Sequence, residues 1–319
     1  MQAAARAGHR RIMRTAIIGA GAIGGWVAAR LAEAGNDVMA LTSRGAVERL
    51  EIEEGGQSTT VDLARFTGPA ELLIIAVKAP ALGTVAAGLA PLIGPETLIL
   101  PVLNGVPWWF IGGEPLASVD PDGRISAALP RGQVIGCVVH ASCSRPVPDR
   151  ILVKHADRLI IGETTGKETS ERLARLFALL DEAGLKPDIS GNVRRAIWYK
   201  LWGNATINPL SALTRATADK ILANAECRAW MLDGMAELAT IGAAIGCPIS
   251  ESGEDRMQVT ARLGAFKTSM LQDVEAGRPI ELEALLGAPR EIARRHGIET
   301  PALDRLYDVT RLMAESLGL

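Results

Sequence analysis

The feature that most constrains this chain is a glycine-rich hexapeptide near its start, Gly19-Ala20-Gly21-Ala22-Ile23-Gly24. It follows an apolar run at 14–18 and opens a helical pattern through 27–34. In that context the first glycine permits a tight turn, the second lets the backbone approach a pyrophosphate, and the third lets helix and strand pack closely. The helix N-terminus then offers free N–H groups to phosphates. The motif predicts dinucleotide binding; the alternative is a glycine-rich turn without a ligand.

Short apolar runs alternate with helical patterns as far as residue 188, which is typical of βαβ units and a largely parallel sheet. Runs at 14–18, 37–41, 72–77 and 98–103 predict strands, and runs at 133–141, 150–153 and 158–161 predict an antiparallel finish before a helix at 170–183. From residue 192 the long amphipathic patterns predict only helices. The predicted fold class is α/β, a Rossmann-type doubly wound sheet followed by an all-α C-terminal domain.

The end of the second predicted strand indicates which dinucleotide would bind. A site for NAD usually has an acid about 20 residues beyond the glycine motif, which binds the ribose hydroxyls. This chain has Thr42-Ser43-Arg44 there, while Asp37 lies at the start of the strand and would point away from the ribose. Arg44 can pair with a 2′-phosphate, and Ser43 can add a hydrogen bond. We therefore predict NADP(H); the alternative is that Arg44 is an ordinary solvated arginine.

Length and composition bound the remaining classes of function. The 319 residues suit about two domains. We predict an N-terminal arm over 1–12, an NADP-binding Rossmann domain over 13–188, and a helical substrate and catalytic domain over 189–319. The net charge of −2 provides no overall positive field for nucleic acid or an anionic membrane surface. Four cysteines without a C-x-x-C pair, beside four histidines, predict neither a metal site nor a disulfide framework.

The first dozen residues carry arginines but no apolar core, so we expect no secretory signal and a cytoplasmic location, with a transit peptide as the alternative. No apolar run approaches the roughly 20 residues that span a bilayer. We therefore expect neither a membrane nor a nucleic acid as partner, but a small molecule. The apolar faces of the helical domain leave room for a homodimer.

Two polar side chains follow predicted parallel strands. Lys78 comes directly after the run at 72–77, and Asn104 directly after the run at 98–103. Ligands bind at the carboxyl ends of such strands, so the Asn104 amide could reach a nicotinamide or a reacting carbonyl. Either residue could equally be an ordinary loop residue.

One lysine stands alone in a very apolar segment. Lys200 is the only charged residue between 196 and 213, and Asn204 and Asn208 follow it at helical spacing on the same stripe. Pro209 is expected to end or kink the helix after that stripe. A buried ammonium should have a lowered pKa or a partner, and would suit proton transfer. The alternative is a lysine whose tip reaches water.

A second polar patch covers 267–273 and 277–283 and includes Ser269. Pro279 predicts a helix start with Glu281 in the first turn, where an acid favours the helix dipole. By pattern alone, Glu281 is a capping acid.

Taken together, these motifs resemble the ketopantoate reductase family (2-dehydropantoate 2-reductase) over nearly the whole chain. The matching elements are Gly19-x-Gly21-x-x-Gly24, Val77-Lys78-Ala79, Asn104-Gly105, Lys200-Leu201 with Asn204 and Ile207-Asn208-Pro209-Leu210, Ser269-Met270-Leu271-Gln272-Asp273, and Gly277-Arg278-Pro279 with Glu281. The resemblance implies a Rossmann domain joined to a helical domain like that of 6-phosphogluconate dehydrogenase, with the substrate between them. It implies that NADPH reduces the C2 carbonyl of ketopantoate to give pantoate for pantothenate.

The resemblance also implies roles. Lys200 would be the general acid, and Glu281 a catalytic residue that contacts cofactor or substrate. Asn104, Asn204, Asn208 and Ser269 would hold the substrate. The residues implied to bind the cofactor are Gly19, Ala20, Gly21, Ala22, Ile23, Gly24, Ser43, Arg44, Lys78, Asn104 and Glu281, with no metal. An ammonium suits this chemistry because hydride delivery to a ketone builds negative charge on the oxygen.

Three departures from the family pattern bear on the substrate. Leu286-Gly287 stands where the family has Asn-Gly, the region 215–219 lacks an expected asparagine, and Trp108-Trp109-Phe110 follows Asn104. The aromatic cluster is either core packing or a remodelled pocket. One alternative function is therefore a same-family reductase acting on another 2-oxo acid, ketone or imine. Another is a non-catalytic NADP(H)-binding sensor, which would not need Lys200 with its polar neighbours.

Overall fold

The structure, a computed structural model, describes residues 12–319. Except for Ile12, the predicted arm over 1–12 lies outside the described residues. The strands are β1 (Thr15–Ile18), β2 (Val38–Thr42), β3 (Gly45–Val47), β4 (Arg49–Glu54), β5 (Gln57–Asp62), β6 (Leu72–Ile75), β7 (Leu98–Pro101), β8 (Ile135–Val147), β9 (Arg150–Glu163) and β10 (Pro187–Ile189). The first sheet has the order β3-β2-β1-β6-β7, with β2, β1, β6 and β7 parallel and β3 antiparallel at the edge. Every residue of β1, β6 and β7 is buried, as in a sheet covered on both faces.

The second sheet is built on a long β8–β9 antiparallel hairpin. The other edge of β9 pairs in parallel with β4 and with β10, and β4 forms a hairpin with β5. The predicted antiparallel finish is confirmed, although the runs at 150–153 and 158–161 belong to one strand. The β4–β5 hairpin was not predicted; its sequence signal is the Gly55-Gly56 turn, where both glycines have positive φ.

The helices are α1 (Ala22–Glu33), α2 (Ala79–Ala86), α3 (Arg124–Ala128), α4 (Glu171–Glu182), α5 (Val193–Thr214), α6 (Ala218–Ala223), α7 (Ala225–Ala244), α8 (Gly253–Ala261), α9 (Ser269–Glu275), α10 (Ala288–Arg295) and α11 (Pro301–Leu317). A π-helical turn, Glu283–Gly287, leads into α10. All regular elements after Ile189 are helical, so the predicted α/β class with an all-α C-terminal part is confirmed. We call β1 to β10 with their helices the sheet half, and α5 to α11 the helical half. The predicted domain limit between 188 and 189 falls within β10 and stays a prediction. Within residues 12–319, no helix is both long and apolar enough to cross a membrane.

Helix α5 forms the centre of the helical half. Trp198 and Trp202 are almost fully buried, and their indole N–H groups donate to the carbonyl oxygens of Leu238 and Met235 on α7. Of the two expectations for Pro209, that it ends the helix is wrong, because α5 continues to Thr214, and that it kinks the helix stays a prediction. Burial of the residues around Pro209 offsets the hydrogen bond that proline cannot donate.

The aromatic cluster after Asn104 is core. Trp108, Trp109 and Phe110 are all at most 4% exposed, and Phe110 stacks on Trp198 of α5 with ring centroids 5.9 Å apart. Leu286 is fully buried in the same core. Of the two interpretations of the cluster, core packing is therefore supported, and the cluster joins the sheet half to the helical half.

Candidate active site

The turn between β1 and α1 requires glycine at two positions. Gly19 has φ of +95°, and a Cβ there would lie 2.7 Å from the backbone of Ala76. A Cβ on Gly24 would lie 2.2 Å from the carbonyl oxygen of Gly19. Gly21 is the N-cap of α1, and no side chain among the described residues caps it. The glycine motif thus leaves backbone N–H groups at a helix N-terminus, which is the geometry that binds a pyrophosphate.

A groove of about 630 Å³ lies beside this turn, at the carboxyl end of β2. Thr42, Ser43 and Arg44 line one wall, and Arg145 of β8 lines the other. Thr42 shapes the wall, because its hydroxyl donates to the carbonyl of Gly45 and accepts from the backbone N–H of Arg44. The structure therefore brings Ser43 and Arg44 to a concave surface next to the glycine turn. The sequence prediction did not include Arg145.

The ammonium of Lys200 projects from α5 toward the carboxyl ends of the parallel strands. Its Nζ donates to Oδ1 of Asn104 at 3.0 Å and to the carbonyl of Val139 at 2.8 Å. Burial lowers the pKa of Lys200 below the ordinary lysine value, because it penalises the charged form, while Cys137 and Glu281 act in the opposite direction. Lys200 is half-buried, and it has both the hydrogen-bond partners and the lowered pKa that the sequence analysis gave as alternatives.

Asn104 links Lys200 to Glu281. Its Nδ2 donates to Oε2 of Glu281 at 3.3 Å, and the backbone N–H of Ala79 donates to Oε1 at 3.4 Å. Glu281 is only 5% exposed and immediately precedes the helix, where its backbone carbonyl accepts from the N–H of Leu285. Among the described residues no side chain caps this helix, and the Glu281 carboxylate accepts from Ala79 and Asn104, so the interpretation of its side chain as a first-turn capping acid is wrong. Contacts with residues about 200 positions away in the chain hold this carboxylate, and no local pattern could have revealed them.

A buried carboxylate that the sequence prediction missed holds Lys78. The Nζ of Lys78 lies 2.5 Å from Oδ2 of Asp273 and 3.8 Å from Oε2 of Glu281. Asp273 also accepts from Nε of Arg278 at 3.0 Å, and its side chain is 4% exposed. The signal was present in the sequence, since Asp273 ends the Ser269–Asp273 motif, but no role had been assigned to it.

The remaining predicted substrate residues lie around this cluster. Asn204 lines a small cavity together with Lys200, Cys137 and Val138. Asn208 is buried one helical turn further along α5. Ser269 is exposed at the start of α9, the helix that carries Asp273. Within the described residues, Lys200 hydrogen-bonds Asn104 and Val139 but none of these three side chains.

Neutral groups surround the Lys200 ammonium. Burial, together with the charges of Lys200, Arg158 and Arg256, lowers the pKa of His140 to about 4. Burial raises the pKa of Cys137 to about 12. Imidazole and thiol are therefore both uncharged at neutral pH. The sequence prediction included neither His140 nor Cys137.

The described residues contain no group of three or more His, Cys, Asp or Glu side chains that could hold a metal ion. What the site offers is a glycine turn for a dinucleotide and a cluster of amides, carboxylates and ammonium groups. These can bind a polar small molecule and transfer a proton.

Comparison with known proteins identifies the class and the family. The family model described as "Ketopantoate reductase PanE/ApbA" matches residues 15–166, and its C-terminal counterpart matches residues 192–314. The fold, the glycine turn and these matches define an oxidoreductase of the pyridine-nucleotide-dependent class. The chain belongs to the ketopantoate reductase family.

Individual relatives match over the full length. A 2-dehydropantoate 2-reductase of Mesorhizobium japonicum is 36% identical over 96% of this chain and 99% of that protein. A crystal structure from Ralstonia solanacearum MolK2, provisionally named a ketopantoate reductase, has a TM-score of 0.91 at 46% identity, covering 97% of this chain and 100% of that one. D-Mandelate dehydrogenase in a ternary structure with NADH and anilino(oxo)acetate has a TM-score of 0.81 at 20% identity, covering 96% of this chain and 100% of that one, and so shares the fold.

Proposed function

We propose that this chain is an NADPH-dependent reductase of a 2-oxo acid, and that its substrate is 2-dehydropantoate, which it converts to pantoate. The observation that carries the proposal is the hydrogen-bonded chain of Lys200, Asn104 and Glu281, which joins the helical half to the carboxyl end of the parallel sheet. The name of the Mesorhizobium japonicum relative supports the choice of substrate.

The residues present fit the cofactor. The glycine turn is a cradle that a Cβ would fill at Gly19 or Gly24, so it can take a pyrophosphate. Ser43 and Arg44 would bind the 2′-phosphate, and Lys78, Asn104 and Glu281 would line the nicotinamide end. NADPH, when bound, supplies the hydride that reduces the C2 carbonyl.

Lys200 would act as the general acid. As negative charge builds on the carbonyl oxygen, the ammonium stabilises it and then transfers a proton from Nζ to that oxygen. Asn104 holds Nζ in place through its Oδ1. Its amide is in turn oriented by Glu281, because Nδ2 donates to the carboxylate. The lowered pKa of Lys200 makes the ammonium a stronger acid than a solvated lysine.

Neutral polar side chains would hold the substrate. Asn204, Asn208 and Ser269 can orient a carboxylate and a hydroxyl without adding a competing acid. Glu281 can accept a hydrogen bond from a substrate hydroxyl.

A second candidate is a reductase of another 2-oxo acid, ketone or imine with the same proton donor. The observation that favours it is Leu286, which is fully buried and stands where the resemblance to the family implies an asparagine. The D-mandelate dehydrogenase, with its NADH, indicates that this fold serves more than one substrate and cofactor. A non-catalytic sensor is disfavoured, because a sensor would not need Lys200 hydrogen-bonded to Asn104 and, through it, to Glu281.

The test is NADPH oxidation, followed by absorbance, with 2-dehydropantoate beside a panel of other 2-oxo acids, ketones and cyclic imines. We expect kcat/KM of at least about 10⁴ M⁻¹s⁻¹ for 2-dehydropantoate. Turnover of another compound alone would favour the second candidate, and no turnover of any compound despite NADPH binding would favour a sensor.

The first prediction concerns the proton donor. Lys200→Ala should lower kcat by about 10²- to 10⁴-fold, the range that general acid catalysis contributes, and leave the dissociation constant of NADPH within a fewfold. The matched control is Lys154→Ala, an exposed lysine on β9, which should behave as wild type. An unchanged kcat in Lys200→Ala would show that Lys200 is not the general acid.

The homodimer and the cytoplasmic location stay predictions. Light scattering of the purified protein measures the first, and fractionation of the source cells measures the second.

A further inference from the structure

The β8–β9 hairpin brings a second arginine to the groove that Arg44 lines. Arg145 lies near the tip of this hairpin. Burial is the largest cause that lowers the pKa of Arg145; Asp149, which also lines the groove, acts in the opposite direction, and the nearby Arg44 contributes to the lowering. Among residues 12–319, neither Arg44 nor Arg145 forms an ion pair with a carboxylate. Arg49, in the same groove, pairs with Asp62 at 2.7 Å. Two guanidinium groups that converge on one groove, neither within ion-pair distance of a carboxylate although Asp149 lines the same groove, indicate a site for an anion.

A β-bulge aims Arg145 at the groove. The pairing of β8 with β9 runs from Ser144 opposite Leu152 to Val147 opposite Arg150, so two residues, Arg145 and Pro146, face the single Ile151. Such a bulge redirects side chains and increases the local twist. Pro146 suits it, because the bulged position need not donate a ladder hydrogen bond.

The hairpin is fixed against the glycine motif. Ile151 packs on α1 so closely that a Cβ on Gly25 would lie 2.6 Å from its Cδ1. The Nη1 of Arg145 donates to the carbonyl of Ala20, the second residue of the motif, and its Nε and Nη2 donate to the carbonyl of Pro148. These contacts use three of the five N–H groups of a guanidinium, which leaves two for a ligand.

We propose that Arg145 binds the 2′-phosphate of the dinucleotide together with Arg44, so that the phosphate sits between one arginine from the β2–β3 turn and one from the β8–β9 hairpin. This inference rests on the proposed use of NADP(H) and adds to it a residue that determines cofactor specificity. The hydrogen bonds of Arg145 to the carbonyls of Ala20 and Pro148 hold its guanidinium in one orientation. The Arg145 side chain therefore loses little conformational freedom when a phosphate binds. NADH, which lacks the phosphate, would leave the two like charges unneutralised.

The experiment measures dissociation constants of NADPH and NADH by fluorescence titration, which needs no substrate. Arg145→Gln should raise the dissociation constant of NADPH at least tenfold and that of NADH less than threefold, because only NADPH has a phosphate for the charge-assisted hydrogen bond. Arg145→Lys should recover part of the lost NADPH affinity, since lysine keeps the positive charge but lacks the paired N–H donors of the guanidinium. Adenosine 2′-phosphate should compete with NADPH in the wild type, and this competition should weaken in Arg145→Gln. Arg49→Gln removes an ion-paired charge from the same groove and should leave the NADPH to NADH ratio unchanged.

The outcomes separate this inference from the proposed function. If the wild type binds NADPH and NADH equally, the choice of NADP(H) fails and the inference fails with it. If Arg44→Gln loses NADPH selectivity while Arg145→Gln keeps it, only the inference is overturned. Equal weakening of both cofactors by Arg145→Gln also overturns it, because Arg145 would then serve the pyrophosphate or the hairpin.

Discussion

At the scale of the residue, Asn104 is the centre of the candidate site. Its amide accepts from Lys200 through oxygen and donates to Glu281 through nitrogen, so both of its polar atoms are used. An aspartate could not make the second bond, because an ionised carboxylate only accepts. The asparagine therefore sets the spacing between an acid and an ammonium without adding a charge of its own.

The pH dependence of activity follows from this arrangement. Reduction needs the ammonium form of Lys200, so kcat/KM should fall as pH rises through the lowered pKa of that lysine. Because Glu281 raises this pKa, Glu281→Gln should lower it further and move the basic limb of the pH profile to lower pH. The measurement is kcat/KM for NADPH oxidation against pH.

The matched control for that prediction is Glu283→Gln. Glu283 lies two residues further on and accepts a 2.5 Å hydrogen bond from the hydroxyl of Tyr307. Its removal should leave the basic limb where it is. A basic limb that stays in place or moves to higher pH in Glu281→Gln would contradict the prediction.

At the scale of the element, the β1–α1 turn tolerates side chains least, because a Cβ at Gly19 or Gly24 would collide with backbone atoms. Gly24→Ala should weaken NADPH binding at least tenfold and lower the free energy of unfolding by about 1–3 kcal/mol, because the new Cβ collides with the backbone of Gly19. Fluorescence titration and urea unfolding measure the two effects. Gly83→Ala in α2, where a Cβ meets open space, should weaken neither the binding of NADPH nor the stability of the fold. Normal binding in Gly24→Ala would show that the turn can relax.

A buried ion pair connects the end of β9 to the start of α4. Glu163 accepts from the hydroxyl of Ser170 and from two nitrogens of Arg172, and the hydrogen bond from Arg172 lowers the pKa of Glu163. A carboxyl with a lowered folded-state pKa stabilises the fold fully above its unfolded pKa of about 4.3, and this stabilisation is lost as pH falls through the folded value.

Glu163→Gln should therefore cost about 3 kcal/mol of unfolding free energy at pH 7, with a smaller difference from wild type as the medium becomes acidic. Urea unfolding at several pH values measures this. Glu48→Gln breaks an exposed pair with Arg65 and should cost at most about 1 kcal/mol. A cost for Glu163→Gln that does not shrink in acid would contradict the assignment.

The elements that the sequence predicted well are those with a local signal. Buried parallel strands are continuous apolar runs, and the stripe of Lys200, Asn204 and Asn208 has helical spacing, so both were recognisable. The β5 strand is almost wholly exposed and gives no such signal. The expectation that Pro209 ends α5 failed because burial of the surrounding residues in the tertiary structure overrides the local preference of proline against a helix interior.

The contacts of the site have no local signal. Glu281 contacts Ala79 and Asn104 across most of the chain, and Arg145 reaches Ala20 only because a bulge turns it. The residue types were therefore predictable, but their partners depended on how the two halves meet.

At the scale of the whole molecule, the site also holds the two halves together. Lys78 and Asn104 come from the sheet half, whereas Asp273, Glu281 and Lys200 come from the helical half. Asp273→Asn removes the buried carboxylate that pairs with Arg278 and is the nearer of the two beside Lys78. It should lower the unfolding free energy by about 3 kcal/mol and weaken the binding of NADPH. Urea unfolding and fluorescence titration measure both effects.

The control is Glu275→Gln on the same helix, which removes a more exposed pair with Lys267 and should cost at most about 1 kcal/mol. Equal stability of the two variants would mean that the Lys78–Asp273 contact does not hold the halves together.

The π-helical turn at Glu283–Gly287 has a consequence for how such a site can diversify. It separates Glu281 from α10, which is anchored because Glu291 accepts from the backbone N–H groups of Ala117 and Ser118. A π-turn contains one residue more than the α-helical turn it replaces, and each residue of a helix accounts for about 100° of rotation and 1.5 Å of rise. Deleting a single residue there would swing Glu281 away from Asn104 while leaving α10 in place. Changes in chain length at this turn, and not only side-chain replacements, are thus a route by which evolution can redirect the carboxylate to a different substrate.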